Sequence, residues 1–181
     1  MILVTGGPDS GKSTYAEGLL SECEAERKYY IATMKVCDED SRRRMEKHRK
    51  AREGKGFITL EIPYRVDRAA EEIPNASECA ALLECSSNLA GNELYDDPER
   101  ALFADPGEGS LSVTDTELSR LAAEITADVR KLKALFRELI VVASVFPEED
   151  AGYDDRTRAY VRLNRMLIDR LKEEAERVVE L

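Results

Sequence analysis

Residues 6 to 13 read Gly6-Gly7-Pro8-Asp9-Ser10-Gly11-Lys12-Ser13, a full match to the pattern G-x-x-x-x-G-K-[ST], and no other stretch restricts the fold as much. The apolar run Ile2-Leu3-Val4 precedes it with the β-branched character of a buried strand, and Thr14 to Leu20 follows as a helix. Strand, glycine loop and helix are the context this pattern needs. Glycines let consecutive backbone N–H groups turn inward around a phosphate, and the helix N-terminus adds its partial positive charge. Lys12 is then placed to reach the β- and γ-phosphates, and the Ser13 hydroxyl to ligate Mg²⁺. An incidental glycine-rich turn would not need those flanks. The motif predicts binding of a nucleoside triphosphate, GTP or ATP, but not what is done with it.

The rest of the pattern predicts an α/β fold of the phosphate-loop nucleoside triphosphate hydrolase type, with a mainly parallel sheet and helices on both faces. Strands are expected near residues 2 to 5, 29 to 33, 80 to 84 and 139 to 145, the last being the clearest buried run. Phe57-Ile58-Thr59-Leu60-Glu61-Ile62-Pro63 also has strand composition and stops at a proline. Residues 64 to 73 read as a short surface helix. Residues 96 to 114 hold most of the turn formers and read as a long surface excursion, a substrate lid or a subunit contact. Thr114 and Glu117 form a capping box ahead of a long amphipathic helix, and a last helix carries Tyr160, Leu163, Leu167 and Leu171 on one face. Val178 to Leu181 offers no more than the stub of a final strand.

With 181 residues, one domain spanning 1 to 181 is expected. A net charge of -10 argues against general nucleic-acid or anionic-membrane binding and favours a soluble cytoplasmic protein, so any phosphate affinity must be local. Cys23, Cys37, Cys79 and Cys85 show no metal or disulfide spacing and read as small buried hydrophobes. No run approaches the length of a membrane span, and no charged leader precedes the first strand.

Against that acidic background, residues 38 to 52, DEDSRRRMEKHRKAR, place acids first and bases last, as a helix dipole prefers. Between Arg42 and Arg52 lie seven Lys/Arg and His48, the chain's one histidine, against the single acid Glu46. Arg44, His48 and Arg52 share a helical face and could line a polyphosphate. On periodicity alone a solvated charged face is the simpler reading. Ala80-Ala81-Leu82-Leu83-Glu84 is an apolar run ending in an acid, the pattern of a strand-end carboxylate that holds Mg²⁺ or orients its water.

Taken together, GGPDSGKSTYAE, YYIAT, the segment ending RMEKHRKAR, FITLEIP and LLECSSNLAGNELY resemble the bifunctional adenosylcobinamide kinase/adenosylcobinamide-phosphate guanylyltransferases of cobalamin biosynthesis. The resemblance covers about the first 95 residues, with a weaker echo in YDDRTRAYVRLNRMLIDRL; Arg-Met-x-x-His-Arg-x-x-Arg is its specific part. It implies that His48 accepts GMP covalently, with Lys12 and Glu84 as the other catalytic groups. It also implies nucleotide contacts from Ala32, Thr33, Arg49, Arg52, Glu61 and Glu84, metal ligation by Ser13 and Glu84, a corrinoid substrate, and a homotrimeric assembly. Neutral imidazole is a competent nucleophile at cellular pH, and neighbouring guanidiniums suit a departing pyrophosphate. Three features depart from the family pattern. Asp9 stands where an arginine is usual, Ala143-Ser144 where Asn-Glu is usual, and Leu181 comes before the family's closing strand and Gly-Ile-Pro segment. A kinase of another small alcohol, with the basic helix as a lid, and a GTP-binding sensor or assembly partner of reduced activity are the competing readings.

Overall fold

A computed structural model describes residues 1–36, 38–103, 113–147 and 152–181. Six strands form one sheet: β1 (Ile2–Gly6), β2 (Lys28–Ala32), β3 (Phe57–Glu61), β4 (Ala80–Glu84), β5 (Glu138–Ser144) and β6 (Arg177–Glu180). Their spatial order is β3-β2-β4-β5-β1-β6, and every pairing is parallel. The four expected strands are present, shifted by no more than a residue at either end. The chain's last strand is more than a stub. Arg177–Glu180 pairs with β1 from Ile2↔Arg177 to Thr5↔Glu180 and closes the sheet beside the phosphate loop.

Parallel strands need helical crossovers, and these cover both faces. Side chains alternate along a strand, so Val4, Tyr30, Leu82, Ile140 and Val142 point to one face, where they pack on Ala16 and Leu20 of α1 (Lys12–Glu22). Leu3, Ile31, Leu83, Val141 and Ala143 point to the other. There they meet α4 (Ser86–Tyr95), α5 (Asp115–Leu135) and α6 (Asp155–Glu174), the helices that enclose the larger core. α5 starts as its sequence requires: Thr114 accepts from the Glu117 amide, and the Glu117 carboxylate accepts from the Thr114 amide. The segment expected as one surface helix is a short 3₁₀ turn at Val66–Arg68 running into α3 (Ala69–Glu72), with Val66, Ala69 and Ile73 buried. Cys79 and Cys85 are buried and Cys23 is half-buried, in keeping with small hydrophobes. Cys37 and residues 104–112 of the expected surface excursion lie outside the described residues.

A buried ionic network fastens the 96–103 segment to this face. Arg100 donates to Glu93 and to Asp128, both at 2.7 Å, and the two carboxylates are almost fully enclosed. Burial raises the Glu93 carboxyl above its usual range, opposed by the hydrogen bonds from Arg100 and the Arg65 amide.

Candidate nucleotide site

Ligands in a parallel sheet bind beyond the carboxyl ends of the strands, and there β1 delivers the phosphate loop. Gly6, its first residue, cannot carry a side chain in this arrangement. A Cβ at that position would stand 2.5 Å from Ser10 Oγ and 2.7 Å from the Leu181 carbonyl oxygen. The loop then passes through Gly7, Pro8, Asp9 and Ser10. Asp9 takes a left-handed conformation at φ 57°, and Gly11 does so at 85° as the N-cap of α1. No side chain caps α1, so its first N–H groups face the loop without a side-chain hydrogen-bond acceptor at the N-cap. Lys12 is buried and donates to the Gly7 carbonyl at 2.8 Å. Asp9 is exposed at the rim.

Ser13 donates to Glu84 Oε1 at 2.9 Å, which joins the loop to the end of β4. Glu84 Oε2 is buried and has no hydrogen-bond partner. Burial raises this carboxyl from 4.5 to about 7, while the Ser13 hydrogen bond and the Lys12 charge oppose the rise. A hydroxyl and a half-satisfied carboxylate are the hard oxygen donors that Mg²⁺ takes. Among the described residues no three His, Cys, Asp or Glu side chains gather to hold a metal by themselves, so these two fit an ion that shares its remaining positions with phosphate and water.

The sheet register assembles the neighbouring cavity. Ala32 pairs with Glu61 on one side and Glu84 on the other, so all three point to the α1 face on one rung; Tyr30 and Thr59 lie on the rung below. α2 (Glu39–Arg52) supplies the opposite wall with Met45, Arg49 and Arg52, and Met34 and Asn88 fill the ends of a cavity of about 160 Å³. Arg52 lies over the Tyr30 ring, 3.8 Å from its centroid, and its Nε is buried without a hydrogen-bond partner. Two of the residues lining the cavity, Arg52 and Glu84, therefore each keep a buried polar atom without a partner, among walls that mix apolar and polar side chains.

Of the residues implied by resemblance, Ala32, Arg49, Arg52, Glu61 and Glu84 line this cavity together. Thr33 does not. It is buried, and its hydroxyl donates to the Cys85 carbonyl and accepts from the Cys85 amide, both at 2.8 Å, so it fastens β2 to β4. His48 lies in α2 directly before Arg49, and its side chain, like that of Arg44, lies outside the described residues. Tyr30, Met34, Met45, Thr59 and Asn88 were not singled out from sequence. Period-two alternation back from Ala32 and Glu61 would have found Tyr30 and Thr59.

The model of the family described as cobinamide kinase / cobinamide phosphate guanyltransferase matches residues 2–181. The chain belongs to this family. Two curated relatives carry the name bifunctional adenosylcobalamin biosynthesis protein CobU. The one from Escherichia coli (strain K12) is 38% identical over 96 residues, 53% of this chain and 51% of the relative. The one from Salmonella typhimurium (strain LT2) is 35% identical over 109 residues, 58% of each. The chain thus spans just over half the length of the curated relatives it matches. The matched family model, by contrast, runs through β6 to Leu181.

Proposed function

We propose that this protein phosphorylates the side-chain hydroxyl of adenosylcobinamide with a nucleoside triphosphate, and then transfers GMP from GTP to the resulting phosphate through a guanylyl-histidine at His48. The observation that carries this reading is the meeting of two structures at one place. The uncapped phosphate loop with Lys12, Ser13 and Glu84 opens beside a cavity whose other wall is the helix bearing His48, Arg49 and Arg52. The family's description names the same two reactions.

In the nucleotidyl step, an imidazole nitrogen of His48 attacks the α-phosphorus of GTP. A P–N bond forms, the P–O bond to the β-phosphate breaks, and pyrophosphate departs with its charge met by Lys12 and the arginines. An oxygen of the corrinoid phosphate then attacks the same phosphorus and the P–N bond breaks, freeing the imidazole. Mg²⁺ held by Ser13 and Glu84 would supply charge neutralisation on the polyphosphate. Arg49 and Arg52 orient phosphates rather than exchange protons, since a guanidinium keeps its charge throughout. The cytoplasm, where triphosphates are abundant, is the compartment this chemistry requires.

The test uses GTP labelled at the α-phosphate. Incubated with the protein and Mg²⁺, it should leave a covalent label that is labile to acid and stable to base, as a phosphoramidate is, while γ-labelled GTP leaves none. His48→Ala should abolish the label and keep GTP binding, because the loop carries binding independently. Transfer of γ-phosphate to an alcohol without any α-label would identify a simple kinase. GTP binding with neither would identify a sensor.

A further inference from the structure

The described side chains of α2 lie mostly at the surface. None of them is buried, and Ser41, Met45 and Arg52 are the half-buried ones among them, so the described residues of the helix form no apolar stripe against the sheet. Its final turn nevertheless has to present Arg49 and Arg52 to the cavity. Two contacts secure that end. One is the Arg52 stack on Tyr30. The other lies in the turn that follows, Glu53-Gly54-Lys55-Gly56, where both glycines have positive φ, 81° and 74°. Between them Lys55 Nζ reaches Glu17 Oε2 of α1 at 2.5 Å.

Glu17 is only 5% exposed, and Lys55 is the cation that pairs with it among the described residues. A carboxylate at that depth is costly to leave without its partner, so the pair resists opening. Glu17 also lies one turn beyond Ser13, on the same face of α1. That face therefore presents Ser13 to Glu84 and Glu17 to Lys55. The helix that begins at the phosphate loop is in this way tied directly to the hinge of the helix that carries His48.

We propose that Glu17 and Lys55 are positioning residues for nucleotidyl transfer: their ion pair sets where the C-terminal end of α2 stands relative to α1, and so holds Arg49 and Arg52 toward the phosphate loop. This rests on the transfer reading above. Neither residue lines the cavity or belongs to the loop. Breaking the pair should therefore spare GTP binding and slow the chemistry, which a merely structural contact would not do selectively.

The experiment compares the full-length wild type with Lys55→Met, Glu17→Gln and the charge exchange E17K/K55E. GTP affinity by calorimetry should stay within about twofold in every variant, as expected of a site with no ligand contact. The rate of α-label incorporation should fall by at least about tenfold in the single variants, since small misplacements of reacting groups are costly. The exchange variant should recover most of the loss. Amide hydrogen exchange over residues 39 to 52 should quicken by about tenfold in the single variants while β1 and β5 stay protected. Label rates equal to wild type would overturn the proposal, and so would unchanged exchange in α2. A fall in GTP affinity as large as the fall in rate would also overturn it, because the pair would then be supporting the loop. Failure of the wild type itself to take up α-label would instead refute the transfer reading.

Discussion

Replacing Glu84 by glutamine should stabilise the ligand-free protein above neutral pH while impairing it as a catalyst. The folded carboxyl holds its proton up to about pH 7, because burial outweighs the Ser13 hydrogen bond and the Lys12 charge, whereas an ordinary carboxyl releases it near 4.5. Between those values the folded state binds more protons than the unfolded one, so stability falls as pH rises through the window and stays lowered above it. Below about pH 4 both forms are protonated and the group contributes no difference. The gap from 4.5 to about 7 corresponds to about 3 kcal/mol. Glutamine keeps the shape and can still accept from Ser13, but it never carries the buried charge. Urea unfolding of the two proteins at pH 5 and pH 8 should therefore show Glu84→Gln gaining about 2 to 3 kcal/mol at the higher pH and well under half of that at the lower. Turnover with Mg²⁺ and GTP should drop at both. An equal change at the two pH values, or a loss at pH 8, would mean that the carboxyl is ionised at no cost and would refute the reasoning.

Two further outcomes follow from the site and its supports. Lys12→Ala should weaken GTP binding by at least about 1.5 kcal/mol in a calorimetric titration, as loss of a charge-assisted contact does; unchanged affinity would place the triphosphate elsewhere. Arg100→Met leaves Glu93 and Asp128 enclosed without their shared cation and should cost about 3 to 5 kcal/mol in urea unfolding, whereas a loss under about 1 would mark the network as solvated.

The elements legible in sequence were those with a local signature. The phosphate loop is specified by its own glycines, α5 by the Thr114 and Glu117 box, and β5 by an unbroken apolar run. β6 was legible only as a stub because Arg177–Glu180 is short and becomes a strand through β1, whose residues lie far away in sequence. The place of Thr33 outside the cavity lining was not legible, because resemblance gives proximity to a nucleotide but not direction, and its hydroxyl is committed to the Cys85 backbone. The basic helix was legible as a helix, but its cavity-lining Met45 was not. Of the expected stripe Arg44, His48 and Arg52, the described cavity wall includes Arg52, which stacks on Tyr30, together with Met45 and Arg49, while the side chains of Arg44 and His48 lie outside the described residues. Likewise nothing near Glu17 in sequence signals a partner at Lys55, because that contact exists only once two crossover helices lie side by side.

The strand order also dictates when the site comes into being. β2, β3 and β4 come from one continuous stretch, and β2 pairs with both of the others, so that half of the sheet can form early from contacts of modest sequence separation. β1 has no such partner. It is flanked by β5 and β6, which follow it at a long sequence separation. During synthesis β1 emerges long before either partner: it waits unpaired until β5 has been made, and its second edge, beside the phosphate loop, stays open until the end of α6 has been made. Nucleotide binding should therefore be the final property acquired on folding, and GTP, by binding only after that closure, would act as a latch on the completed sheet.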